Sequence, residues 1–355
     1  MKVAPPPPTP ADGPAPGPIA IVGGRGYLGT HLAAHLRAAH LPFWIVGRQL
    51  GAGPTPPGFD YRSAAPSLAG AVAGAHTVIH LATLTTPSLG EKNPHLEVEN
   101  LRFATELIAA CRAAGVRHIV FGSSGGTVYG ETAARPAIET DPLRPSCAHA
   151  VTKLAIEHHL RLAAEAGAFA ATVLRLANVY GGTQTVKGEQ GVVSYLLAEL
   201  AAGREISLWG DTVRDYLHVH DAGVAFHRAV LYPCAGFQAF NISSGTGTSL
   251  THLVAQLATL MQRTPAIRQL ARRPFDLACN VLANDAARAH LRWAPAISLP
   301  EGLRRALAEF PPDRPESARR SIYRAQARTF SKTPVCHHRG AVNTAEKSPS
   351  SKKRR

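Results

Sequence analysis

Residues 19–29 read Ile19-Ala20-Ile21-Val22-Gly23-Gly24-Arg25-Gly26-Tyr27-Leu28-Gly29. Four apolar residues that run into glycine predict a buried strand. Leu28, Leu32 and Leu36 then recur at intervals of four, the apolar stripe of a helix. Between them, glycines at 23, 26 and 29 allow a tight turn and a close approach of backbone to ligand. Strand, glycine turn and helix in that order form a cradle for a pyrophosphate at the positive end of the helix. The spacing is GxxGxxG, one residue from GxGxxG. Its place between a predicted strand and a predicted helix is what makes it a nucleotide-binding loop. The plain alternative is a turn that needs glycine for its shape alone.

Working outward, FWIVG (43–47) predicts a second strand, HTVIHLA (76–82) a third, RHIVFGS (117–123) a fourth and ATVLRLANVY (171–180) a fifth. Helices are expected over about 94–114 and 148–166. Alternating strands and helices indicate an α/β fold: a doubly wound parallel sheet with helices on both faces. An acidic residue would close the second strand of such a fold and bind the adenosine ribose, but Gly47-Arg48 stands there. Arg48 could neutralise a 2′-phosphate and favour NADP; as a surface arginine it would leave NAD.

Composition narrows the function classes. The 355 residues carry a net charge of +14, with 45% hydrophobic and 17% charged residues, enough apolar material for a large core. Residues 311–355 hold 12 Lys/Arg against 3 Asp/Glu, whereas residues 1–310 hold 26 against 21. The excess therefore sits in a basic tail, which reads as a solvated end rather than a nucleic-acid site. Residues 1–18 contain a Pro-rich arm that cannot bury a core, and both ends are expected to be disordered. The arm also reads against a secretory leader, because Lys2-Val3-Ala4 runs into four prolines where an apolar run should start. No apolar run reaches the ~18–20 residues that span a bilayer. Five cysteines, at 111, 147, 234, 279 and 336, never fall as CxxC, which speaks against a zinc site and fits a reducing cytoplasm. His158-His159 and His337-His338 lack a third ligand at fixed spacing, and His218 and His220 are expected to alternate along a strand. No metal site is expected.

From about residue 19 to 310 the ordered motifs resemble the extended short-chain dehydrogenase/reductases, specifically the NAD-dependent nucleotide-sugar epimerases and dehydratases, UDP-glucose 4-epimerase among them. GGRGYLG (23–29) resembles their dinucleotide loop, HLAT (80–83) the strand end lining the cofactor, and SSGGTVYG (123–130) the segment with the catalytic Ser/Thr. HAVTKLAIE (149–157) resembles the YxxxK helix, RLANVYG (175–181) the stretch leading to the substrate lobe, and VRDYLHVHD (213–221) the segment whose arginine binds the diphosphate. FNISSGTGTSL (240–250) and RRPFD (272–276) complete the order.

The resemblance implies a Rossmann domain over 19–180 and 210–244, and a smaller substrate lobe from 181–209 and 245–310. It implies cofactor contacts, to NAD or NADP, from Gly23, Gly26, Tyr27, Leu28, Gly29, Arg48, Asp60, Tyr61, Leu81, Ala82, Asn100 and Lys153. A nucleotide-sugar substrate would be gripped by Asn178, Arg214 and Arg273, two arginines being suited to a diphosphate. A structural pairing of Arg214 with Asp215 or Asp221 is the other reading. The two helices at 94–114 and 148–166 would make a homodimer, or simply face the chain's own core.

Two catalytic positions depart from the pattern. Lys153 is present, but His149 stands where the family has tyrosine, and Gly125 where it has Ser/Thr. Three readings of His149 stay open: a working base whose pKa Lys153 holds down, an inactivating change in a nucleotide-binding protein, or a helix-surface histidine. An imidazole reaches less far than a phenol, so a bridging water is expected if it is the base. Ser124 or Thr127 could supply the missing hydroxyl; a turn needing two glycines is the alternative. GDTVRDY is shorter than the family's usual loop before Arg214. Gly126-Thr127 lack the Asp-Glu pair of a 4,6-dehydratase, which leaves an epimerase, a reductase suited to Arg48, or a binding protein.

Overall fold

The computed structural model describes residues 17–47, 60–64, 67–132, 135–182, 191–232, 235–273 and 276–310. Most of the Pro-rich arm, Arg48, His337-His338 and the basic tail lie outside them.

The chain runs β1 (Ile19–Val22), α1 (Tyr27–Ala38), β2 (Phe43–Gly47), β3 (Tyr61–Ser63), α2 (Leu68–Val72), β4 (Thr77–His80), α3 (Pro87–Lys92), α4 (Pro94–Ala113), β5 (His118–Ser124), α5 (Gly125–Val128), α6 (Ala148–Glu165), β6 (Ala170–Leu176) and β7 (Asn178–Tyr180). It continues through α7 (Val192–Ala201), β8 (Ile206–Trp209), β9 (Val213–His218), α8 (Val219–Leu231), β10 (Phe237–Ile242), β11 (Gly247–Ser249), α9 (Leu250–Met261), β12 (Ile267–Leu270), β13 (Cys279–Asn280), α10 (Asp285–Leu291) and α11 (Leu299–Ala308).

Seven strands form one parallel sheet in the order β3-β2-β1-β4-β5-β6-β10. This is the Rossmann order, and the chain reverses direction across the sheet between β1 and β4. Ligands bind such sheets at that switch point, outside the carboxyl ends of the strands. Side chains alternate across the pleat. Ile19 and Ile21 face a core with Leu32 and Leu36 of α1 and Phe226 of α8. Ala20 and Val22 face the opposite core, with Leu107 of α4 and Ile156 and Leu160 of α6. A third core joins Leu196 and Leu200 of α7, Leu253 and Leu257 of α9, and Leu303 of α11 over Ile206 and Leu208. Within the stretch assigned to the lobe, Ala287, Leu291 and Trp293 belong instead to the α1–α8 core.

Two local expectations are corrected. The fifth strand is two strands, broken at Ala177: β6 stays in the central sheet, whereas β7 pairs with β9 in a smaller one. Changing sheets at that point brings Asn178 opposite Tyr216. His218 and His220 do not share a strand. β9 ends at His218, whose Nδ1 accepts from His220 N at 3.3 Å and caps α8. Asp221 in the first helical turn suits the positive helix end.

Burial of two histidines makes the fold acid-sensitive. His80 lies against the Phe103 and Phe121 rings, and among the described residues neither of its ring nitrogens has a hydrogen-bond partner. His118 bonds Thr172 Oγ1 at 2.9 Å. Desolvation pushes their pKa values down, to about 3 and about 4. The unfolded chain takes up protons near the ordinary value of about 6.5, so this stability is complete above that pH. It drains away as pH falls toward about 4. Urea midpoints are expected to drop between pH 7.5 and 5; equal midpoints would contradict the burial argument.

Candidate functional site

The glycine loop sits at the switch point. Gly23 follows β1 with φ +89°, and a Cβ there would stand 2.6 Å from Ala82 N. A Cβ on Gly29 would stand 2.5 Å from Gly23 O and Gly24 Cα. Gly26 caps α1 in extended conformation and is exposed, leaving the first amides of the helix uncovered by a side chain. That is a cradle shaped for an anionic group, and it fits a dinucleotide pyrophosphate. Tyr27 Oη donates to Gly181 O at 2.7 Å, and burial keeps that phenol protonated by raising its pKa. Leu28 packs on the core beneath. Leu81 and Ala82 continue from β4 beside the loop, Leu81 N bonding Val22 O at 2.8 Å. Asp60 and Tyr61 sit lower. Ser63 is level with Gly47, so exposed Asp60 stands three positions before that edge, while Tyr61 packs on the core.

His149, Lys153 and Glu157 fall at intervals of four on α6 and are all buried on one stripe. Lys153 Nζ donates to Gly122 O at 2.8 Å and lies 4.8 Å from the Phe121 ring centroid. Burial lowers its pKa to about 8 against the pull of Glu97 and Glu157. Glu157 accepts from Ser123 Oγ and pairs with buried Arg175 at 2.7 Å. Arg175 reaches Tyr129 Oη at 2.8 Å, which donates to Asn241 Oδ1 at 2.7 Å.

Two residues from elsewhere in the chain meet His149. Its Nδ1 is 3.3 Å from Glu97 Oε1 and 3.1 Å from Thr85 Oγ1. Asn100 Nδ2 donates to Thr85 Oγ1 at 2.8 Å and to Glu97 Oε2 at 3.2 Å, and Asn100 Oδ1 accepts from Leu84 N at 2.8 Å. Asn100 thus holds the loop after β4 and the carboxylate together. Burial raises the Glu97 pKa, but the polar groups of His149, Thr85 and Asn100 beside it outweigh that and bring it to about 2. His149 is lowered, chiefly by burial; Lys153 adds less. The side chain is 6% exposed, which excludes a helix-surface histidine. Glu97 and Thr85 carry no motif. Glu97 stands one helical turn before Asn100, the only sequence hint that both face one side.

Gly125 opens α5 against Leu282 and the carbonyl of Arg175. A Cβ there would collide with Leu282 Cδ1 and stand 2.8 Å from Arg175 O. At Gly126 the nearest atoms, on Asn178, are 3.7 Å away. The first glycine is therefore required by packing, and the second is not. The nearby hydroxyls are Ser124 and Thr127, with Thr127 Oγ1 donating to Ser124 Oγ at 2.9 Å. Gly125→Ser is expected to lower stability by about 1–3 kcal/mol through overpacking, with no gain in any turnover. A serine variant that melts no lower and works faster would contradict this.

Among the substrate candidates, Asn178 Nδ2 donates to Asp215 O at 3.2 Å. Arg273 pairs with Asp276 at 2.6 Å, its guanidinium 5.8 Å from the Trp209 ring centroid. Arg214 sits mid-sheet on β9 between β11 and β13, after a turn at Gly210 of φ +69°. Its Nη1 donates to Val213 O at 2.9 Å, and among the described residues no carboxylate pairs with it. The two acids suggested as its partners are engaged elsewhere. Asp215 accepts from Ser244 N at 2.8 Å, Ser244 Oγ at 2.7 Å and Gly245 N at 3.0 Å. Asp221 accepts from Ile297 N at 3.0 Å. Arg214 is thus a half-buried cation with no counter-charge at contact distance among the described residues. Among the described residues no cluster of His, Cys, Asp or Glu could hold a metal ion, and no helix is long and apolar enough to cross a membrane.

A parallel sheet of this order, with a glycine cradle at its switch point and His149 and Lys153 close by, defines a dinucleotide-binding protein. Residues 19–243 match the NAD dependent epimerase/dehydratase family, and the chain belongs to it. It is 34% identical to a UDP-glucose 4-epimerase of Mycolicibacterium smegmatis, over 66% of this chain and 75% of that one. It is 31% identical to a dTDP-4-dehydro-6-deoxyglucose reductase of Escherichia coli, over 64% and 72%. The crystal structure of a Thermus thermophilus UDP-glucose 4-epimerase complexed with NAD superimposes with a TM-score of 0.75 at 27% identity, covering 82% of this chain and 98% of that one.

Proposed function

We propose that the chain is an NAD(P)-dependent nucleotide-sugar epimerase that inverts a sugar carbinol carbon, C4 in the leading case, with His149 as its base. The observation that carries this reading is the environment of His149: buried, beside an ionised Glu97, and on one helix stripe with Lys153. When bound, the nicotinamide cofactor supplies a hydride acceptor and returns the hydride. His149 takes the hydroxyl proton from the sugar through Nε2, directly or through one water, as the 4-keto sugar forms, and gives it back after the sugar turns. Ser124 or Thr127 donates to the reacting oxygen. Lys153 opposes protonation of His149 and holds the cofactor ribose. Arg214, with Asn178 and Arg273, takes the diphosphate of the substrate, which supplies the charge that Arg214 lacks.

NAD is the cofactor of the Thermus relative, whereas Arg48 would favour NADP. Val98 on α4, with Val151 and Leu162 on α6, exposes apolar area for a second copy.

A binding protein without turnover is the second reading, and Gly125, where no hydroxyl fits, favours it. The test is whether cofactor cycles. Protein loaded with NAD or NADP is mixed with UDP-, dTDP- and GDP-sugars, and reduced nicotinamide is followed by its near-ultraviolet absorbance. A small reduced fraction that builds with one sugar pair supports the epimerase. Tight sugar-nucleotide binding with the cofactor left oxidised supports the second reading.

A further inference from the structure

We propose that Glu97 is a positioning residue for this site: it holds the His149 ring in the Nδ1–H tautomer and so makes Nε2 the proton acceptor. The role rests on the reading of His149 as base; the tautomer itself does not.

Hydrogen-bond inventory leads to the tautomer. An ionised carboxylate only accepts, and a threonine hydroxyl has one proton and two lone pairs. Asn100 Nδ2 occupies one Thr85 lone pair. Thr83 Oγ1, 3.4 Å from the same hydroxyl, can take the Thr85 proton. The other lone pair then faces His149 Nδ1 at 3.1 Å. Glu97 Oε1 is buried with no hydrogen bond among the described residues, and it approaches Nδ1 at 3.3 Å. Both neighbours of Nδ1 are therefore acceptors, so Nδ1 carries the hydrogen. A neutral imidazole has one N–H, which leaves the lone pair on Nε2. In the opposite tautomer the Nδ1 lone pair would face buried Glu97 Oε1 and leave that oxygen without a donor, a costly arrangement. Among the described residues, Nε2 makes no hydrogen bond to protein.

Charge supports the same role. When His149 takes a proton, the imidazolium forms beside Glu97, which stabilises it as a buried carboxylate does in catalytic triads. The charged or titratable groups facing His149 are few. Glu97 comes from α4, Lys153 and Cys147 from α6 and its start, and Glu91 from α3, where it accepts from Ala148 N at 2.7 Å. Among the described residues Glu97 is the one anion in contact with the ring, and Lys153 opposes it.

Glu97→Gln keeps the shape, removes the charge and lets an amide N–H face Nδ1. Its kcat is expected to fall by about 10²–10⁴-fold with KM little changed. In the His149→Tyr background, where no Nδ1 exists, the same change should cost under about threefold. Nitrogen NMR of the His149 ring reads the tautomer without turnover: Nδ1–H in the natural protein, shifting toward Nε2–H in Glu97→Gln. The natural protein's spectrum needs no variant to fold. An Nε2–H ring there, or a Glu97→Gln enzyme with unaltered kcat and pH profile, would overturn the proposal. A protein with the Nδ1–H ring, lost in Glu97→Gln, but no turnover on any sugar nucleotide would uphold the assignment of Glu97 and sink the epimerase reading alone.

Discussion

His149→Ala is expected to lower kcat by about 10²–10⁴-fold, the usual contribution of a positioned general base. The ring is the one group on the α6 stripe with a nitrogen, Nε2, that bonds none of the described residues. Lys153 is committed to Gly122 O and Glu157 to Arg175. Binding should survive, because Arg214 and Arg273, the residues proposed for the diphosphate, lie on other elements, β9 and the stretch before β13. The check is paired: turnover by NMR, and affinity for the free nucleoside diphosphate by calorimetry. Loss of turnover with affinity kept is the predicted pattern. Full turnover without the ring would place the base elsewhere.

Arg175→Ala is expected to be the most destabilising single change in the described chain, by about 3–5 kcal/mol. Removing it strands Glu157, which is 2% exposed and would keep only Ser123. Tyr129 would lose its 2.8 Å donor as well. Arg175 ends near the carboxyl edge of β6 and ties the α6 stripe to the sheet, so the loss reaches the helix that carries His149 and Lys153. Melting followed by circular dichroism should fall by roughly 10 °C. A fall of a degree or two would mean that the cavity floods and water replaces the arginine.

What could be read from sequence was local. The glycine loop needs only residues 19–36, because turn, helix stripe and cap lie within two dozen positions of one another. Lys153 was legible from its motif. The break at Ala177 was not, because a strand that changes sheets keeps the same apolar run. His218 and His220 misled for a related reason: alternation looks alike in a strand and across a strand-to-helix junction. Gly125 was visible as a departure, but its cause is Leu282, which lies far along the chain and meets α5 only in the fold. Glu97 was invisible as a partner of His149. Helix α4 has many charged residues, and only packing against α6 selects Glu97 over solvent-facing Glu99 and Glu106, which pair with Arg102. The freedom of Arg214 was likewise undecidable, since Asp215 and Asp221 stand beside it in sequence and turn to other donors in space.

The central claim is that histidine does here what the relatives' pattern gives to tyrosine. Proton NMR of the natural protein beside His149→Tyr, on UDP-, dTDP- and GDP-sugars with NAD or NADP, tests it most directly. The prediction is that the natural protein interconverts one pair of epimers. Turnover by the tyrosine variant alone would contradict it, and the chain would then be a nucleotide-binding relative that has lost its base.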